Sequence, residues 1–529
     1  MGAEKGIMLR FLHIGLATGF ALTLLLAVSV LPSKAIAQSN VSSHIVGLSV
    51  SGSEPVGSFN GVDYVRTYGV VRGEVDSKED VVGLEAVPKN DRGMFEYESE
   101  FEIFAPAPGE TENEIVFIDS ENRGRPRNLN LLNEIDEPNG PSRAEYRDGL
   151  GNGFFQRHAM TYARVQWQTG LSKDVPDNAQ GIGLVILRDF ARLLSGRTAA
   201  VSAGDFEHGT YAKLILGGKS QSAWMVNTFV AEGFNVDPIT GEGIFDGAIS
   251  VDGVGNWMAL NSLAEQAGAE QHPYIVPDAK PLAWYELMRR PETDPLFVDV
   301  AAYTDFYRLR AGLTATAVTT ANYRRYDIPA PHRMMRPPSG AAAFAGCTED
   351  QWYALNPIDM SPYVRAMIVA LAKTIGATSA RYAAALPPST VFVLGPSSDA
   401  TETFNPLPGV NVPIPLVDEN AWPAGGVRFP DSDYPLGRPT PVSLPPVHTD
   451  SIDVTCGNRG QFQPFTSAEL AAKYGSKEHY LTLYRQSVAR LVQEGFLLAE
   501  DEGAMLEYAG FLWDNAENYL APEGVVSAE

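Results

Sequence analysis

The segment from Tyr211 to Met225, YAKLILGGKSQSAWM, constrains the fold of this chain more than any other part of the sequence. A short apolar run leads through two glycines to Ser220, so the pattern predicts a strand, a sharp turn and a helix with the serine at the apex. Small residues two before and two after the serine, Gly218 and Ser222, let the backbone fold tightly without a Cβ clash. Such a turn exposes the hydroxyl above a sheet as a potential nucleophile. An ordinary strand-to-helix loop is the alternative.

Strands and helices are predicted to alternate through the middle of the chain. Apolar runs bounded by turn residues predict strands at 114–119, 162–168, 211–216, 243–251, 296–303 and 323–328, and helical spacing of apolar residues predicts a helix at 177–195. This alternation implies an α/β fold, with a mainly parallel sheet and helices on both faces. Catalytic groups are then expected on loops at the carboxyl ends of the strands.

Three further regions are predicted to elaborate this core. Short β-like runs at 44–120 predict a mostly antiparallel N-terminal β extension, and helical pieces at 254–292 predict a helical cap insertion. A proline-rich segment at about 386–460 predicts an ordered excursion over the surface. Helices are expected within 355–385 and at 476–495. Residues 38–529 are therefore interpreted as a single elaborated domain.

The N-terminus is typical of a secretory signal. A basic start, an apolar stretch from Ile14 to Leu31 and an A-x-A site at Ala35–Ala37 predict a signal peptide at 1–37. The mature protein is then expected to be periplasmic or secreted. An uncleaved membrane anchor is the alternative, because the apolar stretch is long for a signal.

Net charge bears on the possible partners of the chain, and cysteine content bears on a disulfide and on metal binding. The formal charge is −24, which argues against nucleic acid and anionic membranes as partners. The two cysteines, Cys347 and Cys456, are expected to form a disulfide in an exported protein. Two cysteines alone do not make a structural zinc site, and no histidine lies at ligand spacing from either, so we expect no metal and no other cofactor.

The catalytic candidates occur in a defined chain order. A serine hydroxyl needs a base to become a useful nucleophile, and the base needs an anion to fix its tautomer. Asp305 follows the strand predicted at 296–303, and His332 follows the last predicted strand, at 323–328. Ser220, Asp305 and His332 therefore follow the order expected for a serine elbow of this type.

Other acids compete with Asp305 for the role of orienting the base. Asp294 and Asp299 lie close to it in the chain, and Asp252 ends the preceding strand, where acids also occur as variants. Among the eight histidines, His332 alone comes directly after a late predicted strand.

The oxyanion hole is expected to use two backbone donors. One is the N–H of Gln221, directly after the nucleophile, and the other comes from a loop after an earlier strand, which contains Arg123 and Gly124. Trp167 and Gln168 end the next predicted strand and are predicted to line the substrate pocket. Packing in the core is the alternative for Trp167.

Several short motifs support a family resemblance. They are YVRTYG at 64–69, ENRG at 121–124, Trp167–Gln168, GKSQSA at 218–223, the run at 325–332 and CGNRG from Cys456. In these motifs the chain resembles a bacterial family of exported, largely uncharacterised α/β-hydrolase-domain proteins. Family members usually show a GxSQSG-like elbow and a GTAH-like run, where this chain has Ser222 and Ala330–Pro331. The resemblance implies an α/β-hydrolase fold and a serine hydrolase, and it implies no particular substrate.

The sequence thus predicts a carboxylic ester hydrolase with a small-molecule ester substrate. Two alternatives stay open. One is an amidase, peptidase or acyltransferase on the same triad, and the other is a non-catalytic hydrolase-like binding protein. No nucleic acid partner and no membrane contact after signal cleavage are expected, and the sequence gives no oligomeric state.

Overall fold

A nine-stranded sheet forms the centre of the computed structural model. The structure describes residues 42–135, 149–168, 179–199, 201, 206, 208–263, 280–318, 320–332, 356–378, 384–395, 409–441 and 460–516. The sheet consists of β1 (His44–Phe59), β2 (Val62–Val75), β3 (Phe95–Pro106), β4 (Ile115–Asp119), β5 (Met160–Val165), β6 (Lys213–Lys219), β7 (Gly247–Val251), β8 (Leu296–Ala302) and β9 (Tyr323–Ile328). A small second sheet pairs β10 (Gly437–Thr440) with β11 (Gln461–Pro464).

The spatial order of the large sheet is β1-β2-β3-β5-β4-β6-β7-β8-β9. Strands β5, β4, β6, β7, β8 and β9 are parallel, whereas β1, β2 and β3 add an antiparallel extension at one edge. The predicted fold class is confirmed. The strand expected at 243–251 begins later, at Gly247, because Gly243 and Ile244 instead pair with Val236 and Asn235 in the turn that follows a helix.

Helices cover both faces of the sheet. They are α1 (Arg127–Leu132), α2 (Phe154–Arg157), α3 (Ile182–Leu194), α4 (Gln221–Glu232), α5 (Trp284–Leu287), α6 (Asp305–Arg308), α7 (Ser361–Thr374), α8 (Pro430–Asp433), α9 (Ser467–Tyr474), α10 (Lys477–Glu494) and α11 (Glu502–Asp514). Strand β4 shows how the faces divide. Ile115 and Phe117 pack into the core that contains α7, and Val116 and Ile118 pack into the core that contains α3 and α4. This alternation is the period-two pattern of a strand buried on both sides.

The described parts of the insertion, 254–263 and 280–292, pack against α4. The backbone N–H of Met258 donates to Thr228 Oγ1 at 2.8 Å, and the Arg290 guanidinium donates to the Ala231 carbonyl at 3.2 Å. Residues 264–279 lie outside the described residues. A role for the insertion as a cap over the site stays a prediction.

The proline-rich segment contacts the sheet edge beside β9. Thr390 pairs with this edge through hydrogen bonds to Arg325 and Asp327, each 2.9 Å long. Phe392 packs against Tyr303 and Phe306, next to the predicted acid, so this segment helps to enclose that loop.

Other expectations fall outside the described residues. The predicted signal peptide at 1–37, Cys347 and Cys456 all lie there. Within the part of the chain that is described, no helix combines the length and the apolar character needed to cross a bilayer.

Candidate active site

Ser220 occupies a strained turn between β6 and α4. Its φ of 58° and ψ of −125° lie outside the regions that non-glycine residues normally adopt, and such strain is typical of functional sites. Gly218 is required here, because a Cβ at this position would lie 2.3 Å from the Ser222 carbonyl oxygen. The Ser222 hydroxyl closes the turn, since it accepts from the Lys219 N–H at 2.9 Å and donates to the Lys219 carbonyl at 3.0 Å.

The structure brings Ser220, His332 and Asp305 into one hydrogen-bonded chain. His332 Nδ1 lies 2.7 Å from Asp305 Oδ1, and His332 Nε2 lies 3.0 Å from Ser220 Oγ. An ionised carboxylate only accepts hydrogen bonds, so Nδ1 carries the proton and Nε2 is left to accept from the serine hydroxyl. Ser220 is partly exposed, whereas His332 and Asp305 are buried.

Two loops bring the acid and the base together. Asp305 comes three residues after β8, and its Oδ2 accepts from the Ala302 N–H at 2.8 Å. His332 comes four residues after β9, and the Tyr303 N–H donates to the Ala330 carbonyl at 3.0 Å. This backbone hydrogen bond joins the loop of the acid to the loop of the base.

The competing acids have other partners. Asp299 accepts from the Tyr323 hydroxyl at 2.7 Å, and Asp294 accepts from the Arg290 N–H at 2.6 Å. Asp252 lies closer to the base, with its Oδ2 3.9 Å from His332 Nδ1. The shorter contact belongs to Asp305.

The acid lies in an environment that opposes its charge. Burial raises the pKa of Asp305, and the Asp299 carboxylate raises it further, while Lys219 and Arg325 lower it. A carboxylate that is poorly solvated gains more from a neighbouring imidazolium than an exposed one does. Asp305 is therefore suited to stabilise positive charge on His332.

The predicted oxyanion residues lie on both sides of the serine. Gln221 is the first residue of α4, at the positive end of the helix dipole. Arg123 and Gly124 form a two-residue turn, with φ values of 54° and 75°, between Asn122 and Arg125.

The Arg123–Gly124 turn is fixed against the elbow by its neighbours. The Asn122 side chain donates to the Lys219 carbonyl at 3.3 Å, and the Ser120 N–H donates to the Gly217 carbonyl at 2.8 Å. From the other side, the Arg164 guanidinium donates to the Gly124 carbonyl at 3.2 Å. The loop after β4 and the nucleophile elbow therefore form one continuous structure.

Trp167 and Gln168 are both buried. The Trp167 indole donates to the Glu121 carbonyl at 2.9 Å and so supports the loop after β4. Its 1% exposure matches the core-packing alternative. Gln168 Oε1 is buried and accepts no hydrogen bond from any described residue.

Lys219 is the residue of the site that the sequence reasoning missed. It directly precedes the serine, and its ammonium group pairs with Asp252 and donates to the His332 carbonyl at 2.9 Å. The sequence did contain a signal for this pair, because two lysines and two aspartates share the same spacing. Lys213 and Lys219 are the first and last residues of β6, and Asp246 and Asp252 flank β7, in both cases six positions apart.

One cluster of potential metal ligands exists among the described residues. Asp252, Asp305 and His332 offer ligand atoms within 4.8 Å of one another. The Lys219 ammonium already contacts Asp252, and the imidazole Nδ1 is already hydrogen-bonded to Asp305. A protein cation thus balances the charge of this cluster, and the donor set does not fit a metal centre.

A family model described as "Alpha/beta hydrolase domain" matches residues 150–507, which is more than half of the chain. The chain belongs to this α/β-hydrolase family. The match includes the elbow, the acid and the base.

Solved structures with similarity to this α/β-hydrolase are distant. An esterase from Pyrobaculum calidifontis is 10% identical with a TM-score of 0.26, covering 49% of this chain and 74% of its own. A glucuronoyl esterase from Teredinibacter turnerae is 9% identical with a TM-score of 0.27, and the match covers 54% of this chain and 77% of the esterase. A glucuronoyl esterase from Solibacter usitatus is 10% identical with a TM-score of 0.25, and the match covers 48% of this chain and 67% of the esterase. No curated protein matched the chain.

Proposed function

We propose that this α/β-hydrolase is a serine hydrolase that cleaves carboxylic esters through an acyl-enzyme. The observation that carries the proposal is the hydrogen-bonded chain from Ser220 through His332 to Asp305, with the serine at a strained turn. Such a chain is the arrangement that activates a serine hydroxyl toward an acyl carbon.

The first half of the proposed reaction forms the acyl-enzyme. Ser220 Oγ attacks the ester carbonyl while its proton passes to His332 Nε2. The tetrahedral intermediate collapses, and the imidazolium returns the proton to the leaving alcohol. Asp305 holds the imidazole in the tautomer that accepts at Nε2 and stabilises the positive charge that develops on the ring.

The second half repeats these roles with water. His332 takes a proton from the attacking water, and the proton then returns to Ser220 as the acid is released. In both halves negative charge develops on the carbonyl oxygen, where the Gln221 N–H at the start of α4 supplies one donor. We assign the second donor to the Arg123–Gly124 turn, because neither of its N–H groups has an acceptor among the described residues.

The test of this proposal is labelling with a fluorophosphonate, followed by mass spectrometry of the modified peptide. We expect the label on Ser220 in the wild-type protein and no label in Ser220→Ala. With a series of p-nitrophenyl esters, Ser220→Ala should lose at least about 10³-fold in kcat while its thermal transition is retained. Ser250→Ala is the matched control, because Ser250 is the second-last residue of the neighbouring strand β7 and is fully buried.

Two results would refute the proposal. One is correctly folded wild-type protein that takes up no label, which would favour a binding protein with a hydrolase fold. The other is Ser220→Ala that keeps its ester turnover. Preferential cleavage of a matched amide would keep the triad and reject the ester as the preferred substrate. Transfer of the acyl group to an added alcohol in preference to water would keep both the triad and the ester donor and identify an acyltransferase.

A further inference from the structure

A buried ion pair lies directly beside the proposed triad. The Lys219 ammonium, at the end of β6, contacts the Asp252 carboxylate, which follows the end of β7. Lys219 is 8% exposed and Asp252 is fully buried. Moving two charges out of water costs free energy, and their mutual attraction often does no more than offset that cost. The presence of this buried pair therefore needs an explanation beyond stability.

Lys219 links the pair to the catalytic base. Besides its contact with Asp252, its ammonium donates to the His332 carbonyl at 2.9 Å. A single side chain on the nucleophile elbow therefore holds the backbone of the base. This contact is independent of the hydrogen bond between His332 and Asp305.

Asp252 faces the same imidazole nitrogen as Asp305. Its Oδ2 lies 3.9 Å from His332 Nδ1, compared with 2.7 Å for Asp305 Oδ1. Its other oxygen, Oδ1, is buried and accepts no hydrogen bond from any described residue. Asp252 also has a φ of 59°, which is unfavourable for a residue with a Cβ. Strain and an unsatisfied oxygen are both tolerated at this position.

We propose that Lys219 and Asp252 are positioning residues for His332, with Asp252 acting as a second carboxylate that can orient the base when Asp305 is removed. This inference rests on the proposed serine-hydrolase function. Burial raises the pKa of Asp252, and the Lys219 ammonium opposes this rise. In this arrangement Lys219 also fixes the backbone of the base, while Asp305 makes the direct hydrogen bond.

Asp252 and Asp305 each have a small set of charged neighbours. Asp252 faces Lys219, His332 and Asp305. Asp305 in turn faces Lys219, Asp299 and Arg325, and Arg308 lies close enough to interact with it. A change at Asp252 therefore alters one of two anions beside the imidazole and leaves the other charges in place.

The protein supplies a matched control at the opposite ends of the same two strands. Lys213 Nζ pairs with Asp246 Oδ1 at 2.8 Å, with both side chains partly exposed. This pair also joins β6 to β7 but lies at the strand ends away from Ser220. The double substitution Lys213→Met with Asp246→Asn removes a comparable ion pair without changing the charges beside the base.

The first experiment compares ester hydrolysis in the background that lacks the direct acid. We expect Asp305→Asn to retain at least about tenfold more kcat than the double variant Asp305→Asn with Asp252→Asn, because the second carboxylate is then also lost. Equal kcat in the two variants would overturn the assignment of Asp252. The Lys213 and Asp246 control, introduced into Asp305→Asn, should leave kcat unchanged.

The second experiment reads the charge on the base through pH. Asp252→Asn removes an anion near the imidazole, so the acid limb of kcat/KM should move to lower pH by about one unit, whereas a purely structural change would leave it in place.

The variant with Lys219→Met and Asp252→Asn removes both charges and avoids a buried unpaired carboxylate. We expect about tenfold lower kcat with little change in KM, and a kcat equal to wild type would refute the role of the pair.

A readout without substrate separates this inference from the proposed function. The imidazole nitrogens of His332, assigned by the loss of its signals in His332→Gln, can be followed by ¹⁵N NMR as the pH is varied. Asp252→Asn should move the titration midpoint of His332 to lower pH even if no ester is hydrolysed. An unchanged midpoint would reject the coupling between Asp252 and His332, whereas inactive wild-type protein would reject only the ester hydrolase.

Discussion

At the scale of single residues, the elbow depends on a serine where a glycine is usual. Ser222 is fully buried, and its hydroxyl both accepts from the Lys219 N–H and donates to the Lys219 carbonyl. The residue at the last position of the usual pattern therefore closes the turn by hydrogen bonding, in addition to being small. This explains how the elbow keeps its geometry although its sequence departs from G-x-S-x-G.

Ser222→Ala should lower the free energy of unfolding by about 1–2 kcal/mol, because the buried Lys219 N–H loses its acceptor. Urea denaturation followed by circular dichroism measures the change. Ser250→Ala is the control. Ser250 is also fully buried, but its hydroxyl has no hydrogen-bond partner among the described residues, so removing it should cost less than about 0.5 kcal/mol. Equal losses in the two variants would show that the hydrogen bonds of Ser222 do not stabilise the turn.

At the scale of elements, the loop after β4 is held by buried polar contacts. The Trp167 indole supports the Glu121 carbonyl, and Arg164 pairs with Glu121 and Glu102. Burial raises the pKa of Glu121 to about 7, and Arg164 opposes this shift. These groups lie behind the turn that contains Arg123, so they fix its position relative to the elbow.

Trp167→Phe should lower kcat about three- to tenfold with little change in KM, because the loss of the hydrogen bond to Glu121 loosens a donor that acts in the transition state. Trp422→Phe is the matched control. The Trp422 indole is also buried and donates to the Gly437 carbonyl at 3.1 Å, on the C-terminal side of the chain. Both variants should lose a similar amount of stability in thermal unfolding. A fall in kcat that is equal in both would argue against a specific role of the loop.

The elements of this fold were largely predictable, because local patterns determine them. Strand β9 was predicted at its observed bounds, and β8, predicted at 296–303, ends only one residue earlier, at Ala302. The order of strand ends then placed Ser220, Asp305 and His332 on the same edge of the sheet, as the structure shows.

The buried charges were not predictable in the same way. Arg66 and Glu102, on β2 and β3, are polar residues that a period-two pattern assigns to solvent, yet they form a buried pair. Lys219 and Asp252 are 33 positions apart and meet only because β6 and β7 are adjacent and parallel. Partners of this kind depend on strand register, which the local pattern does not contain.

At the scale of the whole molecule, burial of acids gives stability an unusual dependence on pH. Asp119 is fully buried and Asp431 is partly buried, and both accept hydrogen bonds from neutral donors, namely Asn128 and Tyr162 for Asp119 and Tyr484 for Asp431. Burial raises the pKa of each carboxyl to about 6, from 3.8. Between about pH 4 and pH 6, the native state therefore keeps protons that the unfolded chain has lost.

The sign of the effect follows from proton linkage. Because the native state binds more protons in this window, the free energy of unfolding falls as the pH rises, by up to about 3 kcal/mol for each such group. Acids with lowered pKa have the opposite effect. Contacts with His158 and Arg157 lower the pKa of Glu500, and the pKa of Asp237 is also lowered. Both groups lose their stabilising charge as the pH falls through their native pKa. Stability should therefore be greatest at mildly acidic pH.

Asp431→Asn tests this account, since asparagine can still accept from the Tyr484 hydroxyl but does not titrate. The fall in unfolding free energy between pH 4.5 and pH 7.5, measured by urea denaturation, should be smaller than in the wild type by up to about 2 kcal/mol. Asp433→Asn, two positions along α8, is the control. Asp433 is partly exposed and pairs with Arg428 and Arg490, so its removal should lower stability at both pH values. If Asp431→Asn leaves the fall unchanged, the raised pKa of this carboxyl does not account for the pH dependence, and other titratable groups must cause it.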